Sequence, residues 1–492
     1  MAKSGDKKES KSSSEGITFS KSKDFSEWYP QVIQKAELAD YSPVKGFMVI
    51  RPNAYYIWQK IQDYFNERLK VLNVRNAYFP LLIPESFFKR ESEHAHGFQP
   101  EVAWIANKNG DENGEGERLA IRPTSETIMY DSYSKWLRSY RDLPLRINQW
   151  ANIIRWETKT TRLFLRTREF LWQEGHCVYE TKEECDKETL NYLQEYARLC
   201  KELLALPVLM GMKSEKEKFA GAFYTTTIES IMPDGKSLQC GTSHNLGQGF
   251  AKSFGIKPLG RNGGLILPWQ NSWGFSTRLI GALVMTHSDD KGLVLPPRVA
   301  YNKVVIVPIY NDESKSEVLK AAKKINGDLK DFDSFLDDRE SYSPGWKYNE
   351  WELKGIPLRI EIGPKDFKNK SVVAVKRNTG EKLTIKISDL KRQVPKILED
   401  IHNELFSSAE KSMNARLKKN DNSKEVIKLV GEGFTVLTNV CGGKDCEDEI
   451  RAKAEGLKVL MYPLDQPKSM SAKKCTFCNQ QARHSAYVGR SY

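Results

Sequence analysis

Apolar residues recur at helical spacing through residues 53–72, at Ile57, Trp58, Ile61, Tyr64, Phe65 and Leu69, which predicts an amphipathic helix. A short apolar stretch follows at 78–83. Pro80 within it cannot donate to a sheet ladder, so the stretch reads as an edge strand at a homodimer seam or as ordinary core packing. Residues 119–126 run from a short strand into a helix beginning near Pro123, with Thr124 and Ser125 at the free N–H groups and Glu126 in the first turn. This is a capped helix, or a holder for a ligand ammonium. Around 155–176, strand-like pieces flank a middle rich in threonine (Thr158, Thr160, Thr161), as in a hairpin with a long loop. Residues 183–205 predict a connecting helix. The charged segment 213–221, ending in Gly221, reads as a solvated loop or a mobile lid. Gln239, Thr242 and His244 surround a glycine in 238–244, as at a ligand-facing edge or in a plain turn after a strand. Residues 270–278 lead into an apolar helix over 279–286.

Pro296-Pro297 marks a boundary. Beyond it the pattern predicts a buried strand at 304–309, then a helix with Val318, Ala322 and Ile325 on one face, stopped at Gly327. A half-buried strand follows, in which Leu358, Ile360 and Ile362 alternate with Arg359 and Glu361. Next come a strand at 372–375 and a last helix lined by Val394, Ile397, Leu398, Ile401 and Leu405. This alternation predicts a compact α/β domain. Trp346, Lys347, Tyr348, Trp351, Lys354, Arg359 and Lys365 lie in its middle, a mixture that suits unstacked RNA bases or, for the aromatics, domain packing.

With 492 residues, the chain implies about three domains. It is 39% hydrophobic and 28% charged, and no apolar run approaches the roughly 18 residues of a membrane helix. The lysine- and serine-rich start lacks an apolar segment and reads as a disordered tail, not a secretory signal. A net charge of +12 favours a polyanionic partner such as nucleic acid. Scattered cysteines in such a chain imply reduced thiols and a cytoplasmic location.

Three clusters carry chemistry. In 155–176, Arg155, Arg162, Arg166 and Arg168 mix with Glu157, Glu169, Glu174 and His176, with Phe164, Phe170 and Trp172 between them. Guanidinium groups grip phosphate and stack on rings, so a polyanionic, ring-containing ligand competes here with a salt-bridged surface hairpin. Arg278 falls in the first turn of its helix, where the positive pole offers a cation nothing and attracts the anion such an arginine would face. Near the C-terminus, Cys441 and Cys446 have four residues between them, and Cys475 and Cys478 have two. Two such pairs predict a closed, structural, tetrahedral zinc site.

The chain resembles the prolyl-tRNA synthetase family, in the archaeal/eukaryotic-like form lacking an editing insertion. The resemblance covers nearly everything after the tail. It is carried by Asp40-Tyr-Ser-Pro-Val44, Arg122-Pro-Thr-Ser-Glu126, Arg155-Trp-Glu157, Gly241-Thr-Ser-His244, Trp273-Gly-Phe-Ser-Thr-Arg278 and Pro344-Gly-Trp-Lys347, in the family's order. It implies an α+β fold: a class II antiparallel-sheet catalytic domain over 21–300 after a basic tail at 1–20, an α/β anticodon-binding domain over 301–408, and a small zinc-binding α/β domain over 409–492. The family dimerises through the helix and strand that contain Pro80.

By resemblance, Arg155 and Arg278 are the catalytic residues. Arg155 holds the α-phosphate, Arg166 the γ-phosphate, and Phe170 stacks on adenine. Arg278 covers the other adenine face and touches phosphate. Glu157, Thr167, Gln239, Thr242 and Thr277 complete the ATP site, with magnesium on the triphosphate. Proline sits among Thr124, Glu126, Phe98, Arg155, Trp172, His176, His244 and Ser276, with Glu174 supporting. Glu352, Arg359, Lys365 and Asp366 read the anticodon of tRNA(Pro), where such side chains pair sensibly with guanine edges. Residues 177–269 are occupied by scaffold, so no editing domain fits, and the enzyme is expected to form some alanyl-tRNA that it cannot clear. The loop 158–161 is expected to meet the tRNA acceptor end, and the family's terminal tyrosine carboxylate, here on Tyr492, can approach the active site. Cys240 stands where relatives carry a smaller residue, and Phe223 sits in a variable loop.

Two rival readings are opposed by particular residues. A synthetase of the same subgroup for threonine, serine or glycine is opposed by Thr124, Glu126, Trp172 and His176 together. A non-catalytic, synthetase-like RNA-binding protein is opposed by the presence of Arg155, Arg166 and Arg278.

Overall fold

The computed structural model describes residues 16–92, 101–105, 117–156, 160–467, 469–470 and 472–492. Its residues cluster into two compact units. One comprises 39–287, 296–301 and 397–492, and the other 16–38, 288–295 and 302–396.

The first unit is built on an eleven-stranded sheet. Its middle is antiparallel: Leu145–Ile154 pairs with Glu169–Tyr179, which pairs with Trp269–Ser276, then Ser237–Gly247, then Tyr224–Ile231. The first two strands form a hairpin, but its first strand ends at Ile154, ahead of the stretch 155–176 in which both strands were expected; only the second, Glu169–Tyr179, falls largely within it. Pro52–Val71 buries Ile57, Trp58, Ile61, Phe65 and Leu69, and its Phe65 and Trp58 rings meet Trp150 and Phe275 edge-on. Lys182–Glu202 is capped by Thr181, whose hydroxyl accepts from Glu184 N. On this helix Tyr192 stacks on Trp273 at 4.0 Å. Trp273 in turn presses on Gly175, where a Cβ would lie 2.1 Å from the indole, so only glycine fits there.

The sheet continues into the C-terminal segment. Lys458–Pro463 pairs with Leu209–Met212 through Tyr462↔Met212 and Pro463↔Gly211. A Cβ on Gly211 would meet the Tyr462 carbonyl at 2.6 Å, so the junction needs glycine. His484–Gly489, Thr435–Val440 and Leu417–Lys419 complete this end.

Several expectations change. The stretch 78–83 is not one strand: Arg75–Asn76 pairs in parallel with Leu145–Ile154, and Leu82–Pro84 pairs with Leu119–Ile121. Between them Phe79 N donates to Gln149 Oε1, and Phe79 O accepts from Arg122 Nη1. Side chains thus take the bonds a ladder would have made. The helix expected from Pro123 begins at Glu126 (Glu126–Trp136). Residues 238–244 lie inside a long central strand, not after one. The helix expected to stop at Gly327 runs Lys315–Asp328, and the last one extends over Leu390–Ala415.

The second unit carries a five-stranded sheet in the order Ser334–Leu336, Val304–Pro308, Leu358–Ile362, Ser371–Lys376, Lys382–Lys386, with the first three strands parallel. Leu358–Ile362 is buried throughout, not half-buried. Its polar pair is satisfied internally: Arg359 Nε donates to Glu361 Oε1 at 2.9 Å. Of the expected tail, 1–15 lies outside the described residues. Thr18 N donates to Gln31 Oε1 and Ser20 Oγ to Asp290 Oδ2.

Candidate active site and metal centre

Side chains two apart on a strand share a face. Phe170, Trp172, Glu174 and His176 therefore point together from Glu169–Tyr179, while Gln173, Gly175 and Cys177 face the opposite side. Ser272, Gly274 and Ser276 do the same on the next strand. On Ser237–Gly247, Gln239 pairs with Glu229 but Gly241 with Ile228. The bulge at Cys240 shifts the alternation, so Gln239 joins Thr242 and His244 on the pocket face. These residues, with Thr124, Glu126, Arg155 and Arg278, line one cavity of about 270 Å³.

One end of the cavity is cationic and aromatic. The Arg155 guanidinium lies 5.6 Å from the ring centres of both Phe170 and Trp172, and its Nε donates to Pro123 O. Arg278 is anchored by donation from Nε to Leu165 O and from Nη1 to Gln239 O. Burial first, and then the charges of Arg155 and Arg166, push its pKa down. A buried guanidinium whose charge is disfavoured by burial and by neighbouring arginines, facing the same cavity as Arg155, makes a site that gains most from a polyanion.

The other end is a buried polar network. Glu174 Oε1 accepts from Ser125 Oγ at 2.5 Å and from Gln149 Nε2 at 2.9 Å, and Oε2 lies 3.1 Å from His176 Nε2. Tyr130 OH meets His176 Nδ1 at 3.1 Å, and Thr124 Oγ1 donates to Glu126. Burial pushes the Glu174 carboxyl up, but the His176 contact and the Ser125 and Gln149 donors outweigh it, and the net shift is down. Burial depresses His176, but Glu174 and Glu126 outweigh that, and the net shift is up. The pair therefore favours carboxylate and imidazolium. His244 goes the other way, pushed down to about 3 by burial, His176 and Arg155. Trp172 Nε1 and Ser272 Oγ are buried without a protein partner among the described residues, leaving two polar groups for a ligand.

Some expected residues are placed elsewhere. The Arg166 side chain is exposed and does not line the cavity, although its charge reaches Arg278. Thr167 is buried and donates to Glu169 O at 2.7 Å. Thr277 is buried, does not line the cavity, and has a hydroxyl with no partner among the described residues. Phe98 and Glu157 lie outside the described residues. Ser125, expected as a helix cap, turns its hydroxyl to Glu174. In the second unit Arg359 donates to Glu352 as well as Glu361 and lies 4.2 Å from the Tyr348 ring centre. Asp366 Oδ2 accepts from Gly363 N, and Lys365 is exposed. Sequence reasoning missed Lys213, Glu217, Phe219, Thr225, Cys240, Ser272 and Trp273 as lining residues. The charged segment 213–221 was the available signal for the first three; a lone threonine such as Thr225 gave none.

The four C-terminal thiols come together, with all Sγ atoms within 4.8 Å of one another. Cys446 and Cys475 are 3.7 Å apart, and Cys441 and Cys478 3.6 Å. A tetrahedron with zinc–sulfur bonds of about 2.3 Å has edges of about 3.8 Å, so this donor set fits zinc.

Comparison with known proteins agrees with this geometry. Residues 106–287 match the model of the tRNA synthetase class II core domain (G, H, P, S and T), and 303–397 that of the anticodon binding domain. The fold and site are thus those of a class II aminoacyl-tRNA synthetase. Residues 423–492 match the prolyl-tRNA synthetase C-terminal model. The chain is 50% identical to proline–tRNA ligase of Alkaliphilus oremlandii over 95% of this chain and 96% of that one, and 48% identical to proline–tRNA ligase 2 of Clostridioides difficile with the same coverage. The crystal structure of Cryptosporidium parvum prolyl-tRNA synthetase with L-proline and AMP superposes with a TM-score of 0.90 at 41% identity, covering 97% of this chain and all of that one. The same enzyme with halofuginone and AMPPNP gives 0.92 at 42%, with the same coverage. The chain belongs to the prolyl-tRNA synthetase family. Its activity is that of a proline–tRNA ligase: L-proline and ATP give prolyl-adenylate and pyrophosphate, and proline then passes to the 3′ end of tRNA(Pro). Among the described residues no helix is long and apolar enough to cross a membrane.

Proposed function

We propose that the two ends of the cavity divide this reaction between them. ATP lies at the cationic end, with Arg155 on the α-phosphate, Phe170 and Arg278 on the two adenine faces, and Gln239, Thr242 and Ser276 beside the ribose and the reacting carboxylate. Arg166 reaches the γ-phosphate from the surface, and the remaining charge falls to magnesium bound with the nucleotide. Proline lies at the polar end, its secondary ammonium held by Thr124 and Glu126 and its ring among Trp172, His176 and His244. The proline carboxylate attacks the α-phosphorus and the bond to pyrophosphate breaks. The nucleophile is already an anion, so no general base is required. Arg155 and Arg278 stabilise the charge that gathers on phosphoryl oxygens, in place before the reaction where water would have to reorganise.

The observation that carries this reading is the convergence of Arg155 and Arg278 on a cavity whose far wall is the Glu126, Glu174 and His176 network. Glu174 serves by holding His176, since three donors already engage its oxygens. We assign 21–300 to catalysis, 301–408 to the anticodon (Glu352, Arg359, Lys365, Asp366) and 409–492 to a structural zinc domain, in a cytoplasmic homodimer. Proline-dependent exchange of pyrophosphate into ATP tests the division. Arg155→Ala should reduce exchange far more than it weakens proline binding measured by calorimetry; loss of proline binding without a larger loss of exchange would overturn it.

A further inference from the structure

The segment 213–219 contributes Lys213, Glu217 and Phe219 to the cavity wall, yet most of its side-chain anchors lie in the C-terminal domain. Lys213 Nζ donates to Leu460 O at 2.8 Å and pairs with buried Glu229. Ser214 Oγ donates to Glu447 Oε2 at 2.8 Å. Lys216 pairs with Asp448, and Glu217 with both Arg451 and Lys458. Glu447, Asp448 and Arg451 share the helix Lys444–Lys453, which also carries Cys446.

At its other end the segment meets the amino-acid pocket. Phe219 N donates to Thr225 Oγ1 at 2.9 Å, and that hydroxyl lies 2.9 Å from His244 Nδ1. The Phe219 ring packs on the His244 ring at 4.9 Å. Thr225 is 2% exposed. With its oxygen already accepting from Phe219, its proton is satisfied by donating to Nδ1, which leaves the His244 proton on Nε2.

We propose that the helix Lys444–Lys453 is a positioning element for the amino-acid site: it holds the segment 213–219 over the proline end and, through Phe219 and Thr225, fixes His244 as a neutral Nε2–H donor. Arg451 is then a positioning residue for proline although it touches no substrate. The inference rests on the placement of proline given above.

Arg451→Glu, which sets a carboxylate against Glu217 on a partly exposed helix face, tests it in the full-length enzyme beside Arg451→Lys. The Glu variant should raise the KM for proline by about five- to tenfold. Its kcat and the KM for ATP should stay within about twofold, and trypsin should cut faster after Lys216 and Lys218. The Lys variant should match wild type in every readout. An unchanged proline KM with unchanged cleavage in Arg451→Glu would overturn the inference, as would an equal loss in kcat, ATP and proline parameters in both variants. Absence of proline-dependent exchange in the wild-type enzyme would instead overturn the placement of proline, so the two failures are distinguishable.

Discussion

Glu174 and His176 sit two residues apart on one strand, both almost fully buried, with Oε2 and Nε2 3.1 Å apart. Their linkage has two limbs. The Glu174 pKa is depressed, so its contribution is present above the ordinary 4.5 and is lost as pH falls through the folded value. The His176 pKa is raised, so its contribution is complete below the ordinary 6.5 and is lost as pH rises through the folded value. Glu174→Gln should therefore lower stability by about 1–3 kcal/mol between those limits and flatten both limbs in urea unfolding followed across pH. A profile parallel to wild type would show that the pair is not linked in this way.

Arg155 supplies the charge contact at the reacting phosphate. Its replacement by alanine should cost about 1.5–3 kcal/mol of transition-state stabilisation, roughly ten- to a hundredfold in exchange rate. Steady-state exchange should show the loss in kcat; a change confined to the KM for proline would place Arg155 with the amino acid.

Alanine fits any pocket that admits proline, and each of the two methylenes it lacks costs only about 1–3 kcal/mol. Between the hairpin and Arg278 the chain forms sheet strands, their connections and the helices Lys182–Glu202 and Gly249–Ser253, with no inserted editing domain. Excess alanine with tRNA(Pro) should therefore yield alanyl-tRNA. When that product is isolated and returned to the enzyme, its decay should match the rate without enzyme; faster hydrolysis would reveal a clearing activity.

The cysteine cluster should bind one zinc per chain, measured by elemental analysis. Cys475→Ser should reduce that content and lower the unfolding midpoint of the C-terminal domain. Full metal content in this variant would assign the thiols no ligand role.

The legible parts of the site were those whose chemistry is local in sequence. Phe170, Trp172, Glu174 and His176 share a face by strand alternation, Arg278 announced itself at a helix start, and the thiols declared themselves by spacing. What could not be read was produced by long-range pairing. The junction of Gly211 with Tyr462 brings the Cys446 helix to Glu217 across more than two hundred residues. The bulge at Cys240 turns Gln239 into the cavity only because of its register against Glu229. Phe79 lost its expected strand to the side chains of Gln149 and Arg122, a competition that no periodicity reveals.

The most direct test of the account is amino-acid-dependent pyrophosphate exchange by the purified protein, with proline and threonine supplied separately. Exchange with proline, and none above background with threonine, is the predicted result. Exchange with threonine and none with proline would contradict it.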